Sequence, residues 1–184
     1  RSLAGAGTVH LGADHDGLIR WMADLNTSTV PTQPFMLFGQ MTTADPTRSP
    51  AGTESAWAYT HLPRGRRDDR SAEHLAEAVD AVLERHAPGF TEHVVGKMVQ
   101  RPSDLERSDE NLHAGAVNGG TSQLFQQLVF RPIPGQGGPA TPLDNVFLGS
   151  AGAPPGGGVH GICGRNAARA ALAADGATGW PRRR

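Results

Sequence analysis

The chain has 184 residues, 38% of them apolar and 19% charged, with a formal net charge of −1 at pH 7. Such a composition suits a globular protein with a sizeable core, and a charge near zero supplies no field that would gather a nucleic acid. A single cysteine rules out an internal disulfide framework, and no apolar run approaches the ~18 to 20 residues of a membrane span.

Arg1-Ser2 does not read as a natural start and no signal peptide follows, so an upstream segment is expected. Residues 8–12 predict a short strand. Asp16 offers an N-cap to a helix running to about Asn26, with Leu18, Ile19, Met22 and Leu25 on one apolar face. Pro31 and Pro34 fence off an almost continuous apolar strand at 35–40. The aromatic stretch 54–62 is predicted to pair with it as a wide hairpin. Trp21, Trp57 and Tyr59 are placed in core packing, with the lining of a substrate cavity as the other reading.

The basic run Arg64-Gly65-Arg66-Arg67 reads as a solvated loop, and Arg182-Arg183-Arg184 as the end of a frayed tail. Ser71 is expected to cap a helix over 72–86 whose buried stripe is Leu75, Val79, Val82 and Leu83. A strand is predicted at 94–100. A helix should open after Pro102 with Ser103-Asp104-Leu105-Glu106 as a capping box. Asn118-Gly119-Gly120 makes a turn, Thr121 starts a helix through 122–128, and 145–148 forms a short strand. An Ala-rich helix over 161–174 precedes a disordered tail, 176–184. Strands and helices mix without regular βαβ alternation. The pattern predicts an α+β fold with a mixed, largely antiparallel sheet and packed helices.

Gly156-Gly157-Gly158-Val159-His160-Gly161 is a literal G-x-G-x-x-G, but its context is not that of a dinucleotide-binding turn. The loop 149–155, with Pro154 and Pro155, separates strand from glycines, and no strand follows the helix. What survives is a strand that leads through a Gly-rich loop to a helix N-terminus. Its bare backbone and unpaired N–H groups suit an anion or the pyrimidine edge of a reduced flavin. The other reading is a glycine-rich helix entry that binds nothing.

The run Leu143-Asp144-Asn145-Val146-Phe147-Leu148-Gly149-Ser150-Ala151-Gly152-Ala153-Pro154-Pro155-Gly156-Gly157-Gly158-Val159-His160-Gly161 closely resembles the C-terminal flavin motif of the phytoene desaturase and carotenoid isomerase-like flavoproteins. With Cys163-Gly164 and Ala167-Ala168-Arg169-Ala170-Ala171 it is most similar to their pyridine nucleotide-disulfide oxidoreductase-like branch. Gln123-Leu124, Leu128-Val129-Phe130-Arg131-Pro132, and segments 34–40, 57–63 and 86–90 resemble the same group. The resemblance implies a substrate-domain portion at 1–140 and a returning strand–turn–helix of an FAD domain at 141–175. Gly149 and Ser150 would lie near the ribityl or phosphate portion of FAD. Gly156, Gly157, Gly158, Val159, His160 and Gly161 would form the turn at the ring. The ADP half would be held by an N-terminal Rossmann portion of the same parent protein, absent from this sequence.

His160 is thus a candidate acid or base near the flavin; its other reading is a polar residue at a helix start. His10 and His15, with Asp14 and Asp16 between, do not complete a metal-ligand set, so no metal is expected. Cys163 is read as a small buried hydrophobe and not a nucleophile. Ser150, in Leu-Gly-Ser-Ala-Gly, lacks the residue order of a hydrolase. The expected function is flavin hydride transfer on an apolar, polyisoprenoid-like substrate, in the cytoplasm or at a membrane surface. By itself the chain should be inactive and hold FAD weakly. The alternative is a non-catalytic interaction module that self-associates into a homo-oligomer through the face left by the missing domain.

Overall fold

The computed structural model describes residues 5–118 and 123–178. The chain forms two compact units, residues 1–115 and 116–184.

In the first unit, strands β1 (Thr8–Leu11), β2 (Met36–Gln40) and β3 (Ala56–Tyr59) make an antiparallel meander in that order. Leu11 faces Met36, and Gly39 faces Trp57. Helix α2 (Asp69–His86) lays Val82 and Leu83 against Leu11 and Met36, with Val9, Phe38, Val79 and Phe90 around them. Its stripe is the one the periodicity predicts, and Met36 and Val82 are fully buried. Sheet and helices together make this an α+β fold, its described strands all antiparallel.

Helix caps depart from the sequence reading by a few residues. Asp14, not Asp16, caps α1 (His15–Asn26), its Oδ1 accepting the Gly17 N–H at 2.8 Å. At α2, Asp68 takes the capping role assigned to Ser71 and accepts from both the Ser71 N–H and its hydroxyl. Helix α3 (Pro102–Ser108) starts with Pro102 in its first turn, and the Asp104 carboxylate accepts the Arg101 N–H at 3.1 Å, so Ser103 is not the cap. A carboxylate out-competes a hydroxyl at a helix start because it also meets the positive end of the dipole.

The apolar face assigned to α1 is turned outward. Leu18, Ile19 and Met22 are exposed, whereas Gly17 and Trp21 are buried. Trp21 decides the rotation: its ring packs edge-on against Phe35 and His61, with centroids 5.6 Å away in each case. Burying an indole outweighs burying a flexible aliphatic chain of smaller area. Trp57 and Tyr59 are not core residues either. They stand on β3, an edge strand whose residues are all exposed.

The predicted strand at 94–100 is irregular, with Val95 99% and Met98 85% exposed and no ladder partner among the described residues. Lys97 instead pairs with Asp80 on α2, N to O 2.5 Å. Without a neighbouring strand, extended propensity alone leaves the backbone to solvent.

In the second unit, the helix expected over 122–128 is replaced in its described part by 3-10 turns at Leu124–Gln126 and Leu128–Phe130. Leu128 has φ +52°, a left-handed conformation that no α-helix continues through. Residues 119–122 lie outside the described part, so the predicted turn at 118–120 is only partly covered. The strand at 145–148 reduces to one bridge, Ala140 to Phe147, beside the Leu148 N–H bonded to the Pro139 carbonyl. Helix α4 (Ile162–Thr178) is present and continues past the predicted start of the tail at 176. Residues 179–184 lie outside the described part.

Candidate functional site

The glycine-rich segment folds as two successive turns ending at the head of α4. The Ala153 N–H reaches the Ser150 carbonyl at 3.0 Å and the Gly156 N–H the Ala153 carbonyl at 2.8 Å. Gly156 (φ +103°) and Gly158 (φ +153°) hold backbone conformations that side-chain-bearing residues rarely adopt. A Cβ on Gly158 would also sit 2.8 Å from Cδ2 of His160. The bare backbone there is a steric requirement of the His160 ring.

The loop is held from beneath by Arg131, which is 5% exposed. Its Nε donates to the Gln126 carbonyl at 3.0 Å and its Nη1 to the Ala151 carbonyl at 2.6 Å. Cys163 is buried in the first turn of α4, its thiol directed at the carbonyls of Gly156 (3.3 Å) and Ala153 (3.5 Å). Both contacts pin the inner side of the turn. Cys163 therefore has the packing role expected of it, with weak hydrogen bonds added.

The expected site residues fall on one short segment. Gly149 lies against the first turns of α4, where a Cβ would meet Ala167 Cβ at 3.7 Å and Gly164 Cα at 3.8 Å. Ser150 is exposed at the first turn. Gly156 is buried against Arg131, while Gly157, Gly158, Val159, His160 and Gly161 form the exposed rim. Val159 stands fully in solvent. His160 accepts the Ile162 N–H on Nδ1 at 3.0 Å, which is the helix-start role. A neutral ring that accepts on Nδ1 carries its proton on Nε2, so its free side is a donor.

The chemical content of the rim is its backbone. No acceptor among the described residues takes the N–H groups of the five consecutive residues Gly157 to Gly161. They precede a 17-residue helix, and Gly161 adjoins its first residue, Ile162, where the positive end of the dipole lies. Such a surface stabilises an anion, a carbonyl oxygen or a delocalised negative charge on a flat ring. In this respect a flavin's pyrimidine edge fits the residues present. A dinucleotide pyrophosphate cradle does not, because no full strand leads into the glycines.

Arg131 was not among the residues picked out for the site. Nothing local marks it, since its neighbours Leu128, Val129 and Phe130 are themselves exposed. Elsewhere, His10 stacks on Phe35 with ring centroids 5.4 Å apart, and His15 opens α1. Among the described residues, no three His, Cys, Asp or Glu side chains come together as a metal site.

Two curated relatives are similar to most of this chain. Both are called pyridine nucleotide-disulfide oxidoreductase domain-containing protein 2. The rat (Rattus norvegicus) protein is 31% identical over 168 residues, covering 88% of this chain and 29% of the relative. The mouse (Mus musculus) protein is 30% identical over the same length and shares. The chain therefore spans under a third of the length of these relatives. The similarity links it to proteins described as carrying an oxidoreductase domain. No family model matches the chain, and no solved structure matches it.

Proposed function

We propose that this chain is the C-terminal part of an FAD-dependent oxidoreductase, and that the rim Gly157–Gly161 caps the pyrimidine edge of the flavin. The observation that carries the reading is the run of N–H groups from Gly157 to Gly161, just before α4, that no acceptor among the described residues takes. The similarity to two oxidoreductase-domain proteins supports it. FAD, when bound, supplies hydride transfer, as in a carbon–carbon desaturation, saturation or isomerisation.

The chain's own part is placement and electrostatics. N–H groups of Gly157, Gly158, Val159 and His160 stabilise the negative charge that the ring edge gains on reduction. Gly149 and Ser150 lie toward the ribityl or phosphate portion. Val159 presents an apolar side chain that excludes water, and Nε2–H of His160 offers a proton or a hydrogen bond on the open side. Residues 1–140 form a substrate-domain portion for an apolar, polyisoprenoid-like molecule, and 141–175 the returning FAD segment. The ADP half of FAD is held by a Rossmann portion of the same parent protein, in the cytoplasm or at a membrane surface.

The test is the absorption spectrum of the complete parent polypeptide. A flavin retained through gel filtration and bleached anaerobically by an apolar isoprenoid is expected. The 184-residue chain alone should elute colourless after incubation with FAD. A complete parent that carries no flavin overturns the proposal.

Exposed apolar side chains favour a second reading. Leu18, Ile19 and Met22 on α1, and separately Leu124, Leu128 and Val159 in the other unit, are open to solvent. On this reading the chain is a non-catalytic module whose faces are covered by a second copy. A concentration-dependent dimer in sedimentation, together with a flavin-free parent, would favour it.

A further inference from the structure

The first unit carries a cleft that the glycine turn does not involve. It has a volume of about 410 Å³ and opens where the end of β1, the start of α1 and the end of α2 approach one another. His10, Arg20, Gln33, Arg85 and His86 line it, around backbone from Leu11 to Asp14 and Gly17. Basic side chains thus come from three separate elements, β1, α1 and α2, onto one concave surface.

The charges on this surface are not balanced from within. Arg20 and Arg85 each bring a guanidinium group. Neither has an ion pair or hydrogen bond among the described residues. Asp16 stands one helical turn before Arg20, at a spacing that commonly forms a pair, yet the two do not pair. Arg20 Nη2 instead turns back over the first turn of α1, 4.0 Å from where a Gly17 Cβ would be. The acid on the cleft wall, Asp14, is engaged with the Gly17 N–H as the helix cap.

Other groups add donors. The positive end of α1 lies at the cleft, Gln33 brings a carboxamide, and the ring of His10 is set by its stack on Phe35. His86 adds no free donor, because its Nδ1–H is spent on the Val82 carbonyl at 2.9 Å, but that bond fixes the ring on the cleft wall. Arg20 and Arg85 each bring a planar donor fork that suits an oxyanion, and neither fork is filled among the described residues.

We infer that this cleft binds the phosphoryl group of a small soluble ligand, of the size of pyrophosphate or a nucleoside diphosphate. Calorimetric titration of the 184-residue chain with inorganic phosphate, pyrophosphate and ADP tests it. Saturable binding is expected, tighter for pyrophosphate and ADP than for phosphate, and weakening steeply with salt. Arg20→Gln and Arg85→Gln should each weaken pyrophosphate about tenfold or more, with an unchanged circular dichroism spectrum. The exposed Arg48, paired with Asp45 elsewhere on the unit, supplies the control: Arg48→Gln should bind as the unaltered chain does. Three results overturn the inference: no saturable binding of any of the three ligands, equal weakening in Arg48→Gln, or no weakening in either cleft variant. Retention on phosphatidylglycerol vesicles without binding of free pyrophosphate also overturns it, because a lipid headgroup would then be the ligand.

Discussion

A Cβ at position 156 would lie 3.4 Å from Nε of Arg131, so the buried guanidinium runs directly against the Gly156 backbone. Arg131 ties the loop to the 3-10 turn at Leu124–Gln126 through the carbonyls of Ala151 and Gln126. Arg131→Met keeps much of the volume and removes both donors. The loss should be about 1–3 kcal/mol, because two inward carbonyls are left without their partner. Thermal unfolding and limited proteolysis at 150–160 would show it as a lower melting temperature and faster cleavage in the turn. Equal cleavage rates would mean that Arg131 does not hold the loop.

Gly158→Ala probes the rim directly. The new methyl group meets the His160 ring at a backbone angle already unfavourable for alanine. The ring should swing away and release the Ile162 N–H, a loss comparable to removing a helix cap, about 1 kcal/mol. Faster amide exchange at Ile162, with the other amides of α4 unaffected, is the expected NMR result. In the complete parent the same substitution should weaken flavin retention, whereas a variant in the α2 stripe such as Val79→Ala should not.

Periodicity makes α2 legible, because Val79, Val82 and Leu83 of its stripe meet one apolar sheet face. It misled at α1, where the same reasoning chose Leu18, Ile19 and Met22 over Trp21. Local pattern cannot register that Phe35 and His61, distant in sequence, build the surface that an indole covers. Residues 94–100 failed for a related reason: strand propensity is met only where a neighbouring strand offers a ladder. The glycine turn was legible as a turn, since its residues need little context. Its anchor was not, because Arg131 lies outside the motif and acts on it through space.

Trp57 lies across Gly39 of the neighbouring strand, with the indole 2.3 Å from where a Cβ on residue 39 would be. Its Nε1 donates to Met41 Sδ at 3.0 Å. Gly39→Val supplies a better strand former yet displaces the ring that covers the strand. We expect net destabilisation of about 1 kcal/mol, as overpacking exceeds the gain in propensity. Tryptophan fluorescence should shift to the red. A blue shift with a higher melting temperature would show that the indole finds an equally good site.

His61 gives the first unit a pH dependence of its own. Much of the residue is open, but its ring packs against Trp21 and Tyr59, and burial holds its pKa below the ordinary value of 6.5. As pH falls through 6.5, the unfolded chain takes up this proton before the folded one does. The stabilisation is therefore fully present above that value and is lost as pH drops toward the folded pKa. Asp68, Glu84 and Asp104 are also held below their ordinary values, by hydrogen bonds from Ser71, from Thr91 and Gly89, and from Arg101 respectively. Their contributions fade only in more acid solution, below about the usual carboxylate range. Denaturant melts of the unaltered chain and of His61→Phe, taken between about pH 7.5 and 5.5, separate the two effects. The unaltered chain should lose stability toward pH 5.5 more steeply than the variant, because phenylalanine keeps the ring contacts and binds no proton. Parallel slopes would show that the packed imidazole protonates as readily in the folded chain as in the unfolded one.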